Sequence, residues 1–269
     1  MRSLAVACIV TGILFTLDIA SAQKGTGIDP EALIEQILMV ENRQYQQITD
    51  IVFETELHLG KIYKKNGFEE DERFVKKVYL KYLPDTVLYA EEYLEYYKEG
   101  EKKDRQKCDE KGQEQIEKAK KRKAKNISTP MLRPFYPEER EFYEITYNGV
   151  SDEKIDDYIC HHFTAKSLVE NEDFINGDYY FEAESFNLVR VDFVPAKLPS
   201  GVMFNMKNLS MSVRYGPTAE GYWLPQQFDI SGKGKAIMFI GVNFAGVEYF
   251  RNPQINTGLS DEIFEEKEK

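Results

Sequence analysis

The most regular pattern in the chain lies between residues 179 and 250, where apolar and polar residues alternate. In Leu209–Tyr215 every second residue is apolar, and Leu188–Val194 repeats this pattern. Successive side chains of a strand point to opposite faces, so a period of two predicts strands with one buried face and one wet face. Ala236–Ile240 is apolar throughout, which predicts burial on both faces. This region therefore predicts neighbouring antiparallel strands whose apolar face is covered by another element.

A helix that could cover this sheet is predicted near the N-terminus. Asp29-Pro30 is typical of a helix start, with a capping carboxylate followed by proline at the first helical position. Four apolar residues then recur at helical spacing: Leu33, Ile34, Ile37 and Leu38. The polar residues Glu35, Gln36 and Glu41 are assigned to the rest of the helix surface. The pattern predicts an amphipathic helix of three or four turns.

After this helix the period changes to two, which predicts a long series of strands. Ile51–Leu59 and Arg73–Leu83 alternate clearly, whereas the tyrosines of Thr86–Tyr97 fit either a helix or a strand, and the neighbouring strands favour a strand. Short turns join the strands, including one predicted at Gly232-Lys233-Gly234. The sequence predicts a meander of about nine to eleven antiparallel strands, which must curl or close to protect its edges.

One segment interrupts this rhythm. Residues 101–125 are nearly all charged or Gln, which predicts a solvated helix or a mobile excursion from the sheet. In a functional interpretation, Lys118–Lys125 would form a basic patch for anionic lipid headgroups or for an acidic partner.

The first 22 residues have the pattern of an export signal. Arg2 supplies a positive charge, Leu4–Leu17 an apolar core, and Ala20-Ser21-Ala22 a small-residue cleavage site. The alternative is a retained anchor, but the apolar run is shorter than the ~20 residues that a spanning helix needs. We therefore expect residues 1–22 to be a signal peptide and residues 23–269 to form a single exported domain, most naturally periplasmic, with secretion as the alternative.

The charge of the chain bears on the kind of partner. Acidic residues outnumber basic ones by 46 to 35, and the net charge is -11. Proteins that bind nucleic acid carry a basic surface, so this balance argues against nucleic acid as a partner. Peripheral contact with a membrane remains compatible with the basic residues near position 120.

Two cysteines remain after the signal segment, and an exported protein can oxidise them. Cys108 and Cys160 are a candidate disulfide pair, which would contribute roughly 4 kcal/mol in the chain-entropy description. The alternative is two unpaired thiols, since two cysteines give no spacing pattern.

Few residues suggest catalysis or metal binding. In Cys160-His161-His162 the two histidines are neighbours on a predicted strand and point to opposite faces, so they cannot both bind one ion. His58 lies on a distant strand. The sequence contains neither a G-x-S-x-G elbow nor a P-loop, and we predict no metal and no cofactor. An enzyme that uses His161 or His162 is the weakest of the alternatives.

Three short motifs and the order of the elements resemble a known family. The motifs are Leu188–Phe193, Gly221-Tyr222-Trp223-Leu224-Pro225 and the closing segment Asn256–Phe264. Together with the export signal, the helix and the meander, they resemble the LolA/LolB-like family of outer-membrane lipoprotein-sorting proteins, in its broad branch. The resemblance covers most of the mature chain. The charged segment 101–125 is a departure from the family pattern.

This resemblance implies a fold and a function. The fold would be mainly β with α, a curved antiparallel sheet forming an unclosed half β-barrel covered by helices. The function would be that of a non-catalytic periplasmic carrier, with lipid or lipoprotein acyl chains held in an apolar cavity between sheet and helix.

The sequence offers eleven candidates for the wall of such a cavity. They are Leu33, Ile34, Ile37 and Leu38 from the helix, and Val189, Val191, Phe193, Leu209, Met211, Val213 and Trp223 from the sheet. In the alternative interpretation these residues fill a core. The protein would then be an exported envelope structural or interaction module without a lipid ligand, and residues 101–125 would contact an envelope protein partner.

Overall fold

The computed structural model describes residues 29–63, 67–84, 86–121, 131–201, 204–236 and 240–265. The expected signal segment, residues 237–239 of the apolar run and residues 122–125 of the basic run lie outside these ranges. Two α-helices are present in the described part of the chain: α1 (Pro30–Gln47) and α2 (Arg105–Lys121). Neither has the length and apolar character needed to span a membrane.

The strands of the described residues form one antiparallel sheet. They are β1 (Asp50–Tyr63), β2 (Gly67–Leu83), β3 (Thr86–Lys98), β4 (Glu101–Lys102), β5 (Tyr143–Val150), β6 (Cys160–Ser167), β7 (Ile175–Glu182), β8 (Leu188–Pro195), β9 (Ser200–Gly201), β10 (Phe204–Pro217), β11 (Trp223–Ala236) and β12 (Ile240–Ile255). Their order across the sheet is β4-β3-β2-β1-β12-β11-β10-β8-β7-β6-β5, with β9 beside β10.

This order joins two meanders into one open sheet. β1 to β4 form the first meander and β5 to β12 the second, and the pairing of β1 with β12 connects them, for example at Leu57 opposite Glu248. Strands β4 and β5 are the two ends of the order, so the sheet is unclosed. The predicted mainly-β, unclosed antiparallel fold with helices is confirmed, and the ambiguous segment Thr86–Tyr97 is a strand.

Helix α1 begins as predicted but continues further. The Asp29 side chain accepts a hydrogen bond from the Glu31 backbone N–H at 3.0 Å, and Pro30 occupies the first helical turn. The helix runs for 18 residues, five turns instead of three or four. Its added length carries Gln44 and Tyr45, which also face the sheet. The assignment of Glu41 to the rest of the helix surface was wrong, because Glu41 lies one turn after Ile37 and faces the same space beneath the helix.

The end of α1 is held by the closing segment of the chain, which begins at Asn256. The Asn256 amide donates to the Gln47 carbonyl at 2.8 Å, and its oxygen accepts from the Thr49 N–H at 2.7 Å. The neighbouring carboxylate of Asp50, 2% exposed, accepts from the Thr257 N–H and hydroxyl, both at 2.7 Å, and from the Gly258 N–H at 3.0 Å. Burial opposes the charge of Asp50, but these hydrogen bonds outweigh burial and lower its pKa. The closing segment thus caps the helix.

The predicted turn at Gly232-Lys233-Gly234 is wrong, since all three residues lie inside β11. A Cβ atom at Gly232 would lie 2.6 Å from the ring of Phe244, and one at Gly234 would lie 2.8 Å from the Asn205 carbonyl oxygen. The glycines therefore allow close approach within the sheet instead of reversing the chain.

The charged segment after β4 is not a free excursion. Helix α2 is capped by Asp104, whose carboxylate accepts from the Lys107 N–H at 2.9 Å. Cys108, Gly112 and Ile116 are spaced four residues apart, and this stripe packs on β3. A Cβ atom at Gly112 would lie 2.8 Å from the Tyr93 ring. The small residues let a highly charged helix rest closely on the sheet, which the count of apolar residues did not indicate.

The structure does not contain the candidate disulfide, because Cys108 and Cys160 are both free thiols. Cys108 is buried beneath α2, whereas Cys160 is buried on β6, with its sulfur 3.5 Å from the Tyr158 carbonyl oxygen. Burial raises the pKa of both thiols, that of Cys160 to about 12. The second alternative, two unpaired thiols, is the one observed.

Candidate ligand cavity beneath helix α1

Part of the helix-covered face of the sheet is solidly packed. Phe135, from the segment before β5, lies edge-on to Phe163, Tyr179 and Phe181, with ring centroids 5.7, 5.0 and 5.6 Å apart. All four residues are fully buried. The buried residues Leu33, Ile34 and Ile37 of α1 belong to this same cluster. Over β5 to β8, therefore, the first half of the helix rests on a filled aromatic core.

Beneath the second half of α1 the packing gives way to a cavity of about 440 Å³. Its wall is formed by residues of α1, of β1 to β3, of β8, β10 and β11, and of the segments before β5 and before β8. The apolar members include Ile37, Val40, Ile48, Ile51, Phe53, Leu80, Val87, Met131, Leu132, Leu188, Trp223, Leu224 and Pro225. The chain thus leaves a mainly apolar space between the helix and the sheet.

A side chain of α1 fixes one edge of this cavity to the sheet. The Gln44 amide donates to the Trp223 carbonyl at 2.8 Å and accepts from the Trp223 N–H at 2.7 Å. This pair of bonds resembles the pair that two residues of neighbouring strands exchange, but here a side chain provides one partner. The two residues are 179 positions apart in the sequence. The Trp223 ring in turn packs against Tyr158, with centroids 5.1 Å apart. The helix is therefore held at the start of β11.

One ionisable carboxyl, that of Glu41, faces the cavity. It is half-buried, and the Tyr136 hydroxyl donates to its Oε2 at 2.7 Å. Burial raises the pKa of Glu41 to about 7, and the hydrogen bond from Tyr136 opposes that rise. The carboxyl therefore changes its charge near neutral pH.

Tyrosines form the rest of the polar wall. Tyr45, Tyr82, Tyr136 and Tyr215 line the cavity, and the Tyr45 and Tyr82 rings meet edge-on at 5.7 Å. Burial raises the pKa of Tyr82 to about 12, so its hydroxyl stays protonated at neutral pH. Tyr45 is 40% exposed, so the wall of the cavity is accessible to solvent at this residue.

The structure distributes the eleven predicted cavity residues over several environments. Ile37 and Trp223 line the cavity. Six of the others lie in the packed core or at its partly buried margin: Leu33, Ile34, Leu38, Val191, Phe193 and Val213. Val189 is fully buried. Leu209 and Met211 are half-buried further along β10. Their role as lipid contacts stays a prediction.

Sequence reasoning missed the polar wall of the cavity. Glu41 and Tyr45 follow Ile37 at intervals of four residues, so the helical period carried a signal that they share its face. The polar character of Glu41 nevertheless assigned it to the rest of the helix surface. Tyr82 and Tyr215 end apolar alternations, and nothing local distinguishes a cavity wall from a core position there.

None of the three histidines is among the residues that line the cavity. His161 is buried, with Nδ1 2.9 Å from the Tyr147 hydroxyl, and His162 Nε2 lies 2.8 Å from Asp178 Oδ1. The two rings are on opposite faces of β6, as the strand period predicts. His58 contacts Glu70 on the neighbouring strand. Among the described residues there is no group of three His, Cys, Asp or Glu side chains placed to hold a metal ion.

These features define an open-sheet protein with a ligand-sized cavity under a helical cover. Among solved structures, the chain is similar to a DUF1329 family protein from Desulfovibrio piger, at 12% identity and TM-score 0.45, covering 89% of this chain and 98% of that one. It is also similar to a domain described as an outer membrane lipoprotein-sorting protein from Vibrio parahaemolyticus, at 11% identity and TM-score 0.43, covering 86% and 97%. A LolA superfamily protein from Nitrosomonas europaea matches at 8% identity and TM-score 0.37, covering 89% and 98%.

The second and third of these structures carry the description of the family that the sequence resembles. No family model matches the sequence, and no curated protein does so either. At such identities and scores the structural matches carry no inference about ligand or activity. The function has to be argued from the residues of the cavity.

Proposed function

We propose that this protein is a non-catalytic carrier that holds lipid or lipoprotein acyl chains in the cavity beneath α1. The observation that carries the proposal is the cavity of about 440 Å³, with mainly apolar and aromatic walls. Pockets for small ligands commonly enclose ≈ 300–1,000 Å³ and combine apolar walls with a few placed polar groups. The volume and the lining of this cavity fit that description.

Burial of an acyl chain supplies the driving force for such binding. Each methylene removed from water contributes roughly 0.8 kcal/mol, so a chain that must cross an aqueous compartment gains from an apolar cavity. Binding of this kind requires neither a nucleophile nor a metal. The opening beside Tyr45 gives the chain a route that leaves the packed core over β5 to β8 undisturbed.

Export to the cell envelope is part of the proposal. It is supported by the charged, apolar and small-residue pattern of the first 22 residues. Intact-mass measurement of protein from an envelope extract should give a mature chain that begins at Gln23. A chain that retains Met1, or that is found with the cytoplasmic fraction, would contradict export.

The carrier function is tested by ligand content and by uptake. Protein purified without detergent should release lipid that mass spectrometry detects. Binding of the neutral fluorescent reporter N-phenyl-1-naphthylamine should saturate, and dodecan-1-ol should displace it. Ile37→Asp places a charge on the cavity wall and should weaken uptake about tenfold or more, because the carboxylate must be desolvated.

Met39→Asp is the matched control for this experiment. Met39 lies on the same helix but is 47% exposed on its outer surface, so its substitution should leave uptake unchanged. Circular dichroism must show that both variants are folded. Equal uptake by wild type and folded Ile37→Asp, or no saturable uptake by any form, would contradict the carrier function.

A second candidate function is an envelope interaction module without a lipid ligand. The observation that favours it is the packed core, which contains most of the predicted cavity residues. In that case the charged helix α2 would contact the protein partner. The purified protein would carry no lipid, and deletion of residues 101–125 would abolish binding to a partner while the remaining sheet stays folded.

A further inference from the structure

The charge balance inside the cavity restricts the kind of ligand it can hold. The described lining residues include the carboxyl of Glu41 but no Lys, Arg or His. Tyr136 donates to Oε2, and among the described residues no donor contacts Oε1. A buried carboxylate without a cation is costly, and a ligand that brings a positive charge would remove that cost.

The aromatic walls favour the same kind of ligand. Four tyrosine rings and the indole of Trp223 line the cavity: Tyr45, Tyr82, Tyr136, Tyr215 and Trp223. A cation over the face of Trp or Tyr is attracted by the ring quadrupole, and several such rings around one space form the aromatic cages that bind organic ammonium groups. The lining thus combines a carboxylate with an aromatic enclosure.

Ionisable side chains from four elements lie close to Glu41. Tyr45 on α1, Tyr136 before β5, Tyr82 on β2 and Tyr215 on β10 are the titratable groups that share the cavity with Glu41. The lining residues from β1, β3, β8 and β11, and from the segment before β8, are not ionisable. Glu138 adds a further negative charge near Tyr136. The neighbours of Glu41 therefore supply hydroxyls and negative charge.

We infer that the cavity binds a single-chain amphiphile whose head is an organic ammonium group, held between the Glu41 carboxylate and the tyrosine and tryptophan rings. This inference rests on the proposed carrier function and adds the class of head group. An anionic head would meet the Glu41 carboxylate without a counter-charge from the described lining. A neutral head would leave the carboxylate unpaired. The net charge of -11 favours the approach of a cationic ligand as well.

Three probes with the same chain and different heads test this inference: dodecyltrimethylammonium, dodecan-1-ol and dodecanoate. Each is used below its micelle concentration to displace N-phenyl-1-naphthylamine from the full mature chain. We expect the ammonium probe to bind about tenfold more tightly than dodecan-1-ol, and dodecanoate to bind least. The quaternary head keeps its charge at every pH, so any pH dependence reports on the protein.

The pH dependence follows from the ionisation of Glu41. Because its pKa is about 7, the ionised fraction rises steeply between pH 6 and pH 8. Affinity for the ammonium probe should rise up to about tenfold over that interval, while affinity for dodecan-1-ol should not rise. Glu41→Gln should abolish both the preference for the cation and this pH dependence. Glu35→Gln, on the exposed surface of the same helix, is the matched control and should keep both.

Tyr136→Phe provides a second variant, which keeps the carboxylate and the ring but removes the hydroxyl. It should retain the preference for the ammonium probe, with the pH midpoint shifted upward because the hydrogen bond no longer opposes protonation. Circular dichroism establishes that each variant is folded. If Glu41→Gln does not fold, Tyr136→Phe tests the inference by itself. A pH midpoint that does not move upward in this variant would overturn the inference.

The outcomes separate this inference from the carrier function. Equal affinity for the three probes, or a cation preference that survives in Glu41→Gln, would overturn the ammonium head while the carrier function stands. Displacement by dodecyltrimethylammonium and by choline, without displacement by dodecan-1-ol, would support the ammonium site and contradict an acyl-chain carrier. No displacement by any probe would overturn both.

Discussion

The two halves of helix α1 cover very different parts of the same sheet. The first half, with Leu33 and Ile34, lies on an aromatic core that Phe135 fills. The second half, with Glu41 and Tyr45, lies over a cavity. The difference comes from the side chains that lie between the helix and the sheet in each half. A ring occupies the space over β5 to β8, whereas phenol and carboxyl groups that require polar partners line the space beside β1 and β2. One amphipathic helix can thus serve as core and as cavity wall within five turns.

The largest expected effect comes from emptying the packed half. Phe135→Ala removes a fully buried ring that contacts three other aromatic rings, and we expect the free energy of unfolding to fall by about 3–5 kcal/mol. Urea unfolding measures this loss. Phe264→Ala, at a partly exposed phenylalanine in the closing segment, should cost much less. Similar losses in the two variants would show that Phe135 does not organise the core.

A smaller effect of opposite sign is expected in the cavity half. The pKa of Glu41 is raised to about 7 in the folded protein from 4.5, so the folded state binds more protons than the unfolded state between these values. Stability from this group is therefore lost as pH rises from about 4.5 to about 7, by up to about 3 kcal/mol. Glu41→Gln should be more stable than wild type at pH 8, with little difference at pH 4.

Urea unfolding at several pH values checks this sign, and Glu35→Gln is again the control. A Glu41→Gln variant that loses stability at pH 8 would show that the ionised carboxylate has a stabilising partner. That result would remove the contrast between the packed half and the cavity half.

The smallest effect concerns the link between the helix and β11. Gln44→Ala removes both hydrogen bonds to the Trp223 backbone, and we expect a loss of about 1–2 kcal/mol. Release of the probe from the cavity should become faster as well, because the helix is then less tightly held at this edge. Gln46→Ala, on the exposed side of the same turn, should change neither quantity. Stopped-flow release of N-phenyl-1-naphthylamine measures the rate.

Local patterns in the sequence predicted most of the elements but not how distant segments meet. Asp29-Pro30 marks the helix start, and the period of two locates the long strands, because both signals depend on neighbouring residues. The pairing of β1 with β12 depends on residues nearly 200 positions apart, and no local pattern contains it. Phe135 lies in a proline-rich segment that reads as a connector, although its ring fills the core.

The cavity escaped prediction for a related physical reason. An apolar residue on a strand looks the same in sequence whether it meets a neighbour or a void. Val191 and Val213 became core and Trp223 became cavity wall, although the sequence offered all three as candidates for the same wall. The glycines of β11 also led to a wrong prediction. Glycine often marks a turn, but Gly232 lies within the strand and makes room for the ring of Phe244.

The contacts of Asn256 with Gln47 and Thr49 have a consequence for how the proposed ligand would enter the cavity. They tie the final turn of α1 to the closing segment, so an outward movement of the helix at that end would have to break these hydrogen bonds. A truncation that removes Asn256 and all later residues would therefore change the kinetics of ligand entry. None of the removed residues that the structure describes lines the cavity.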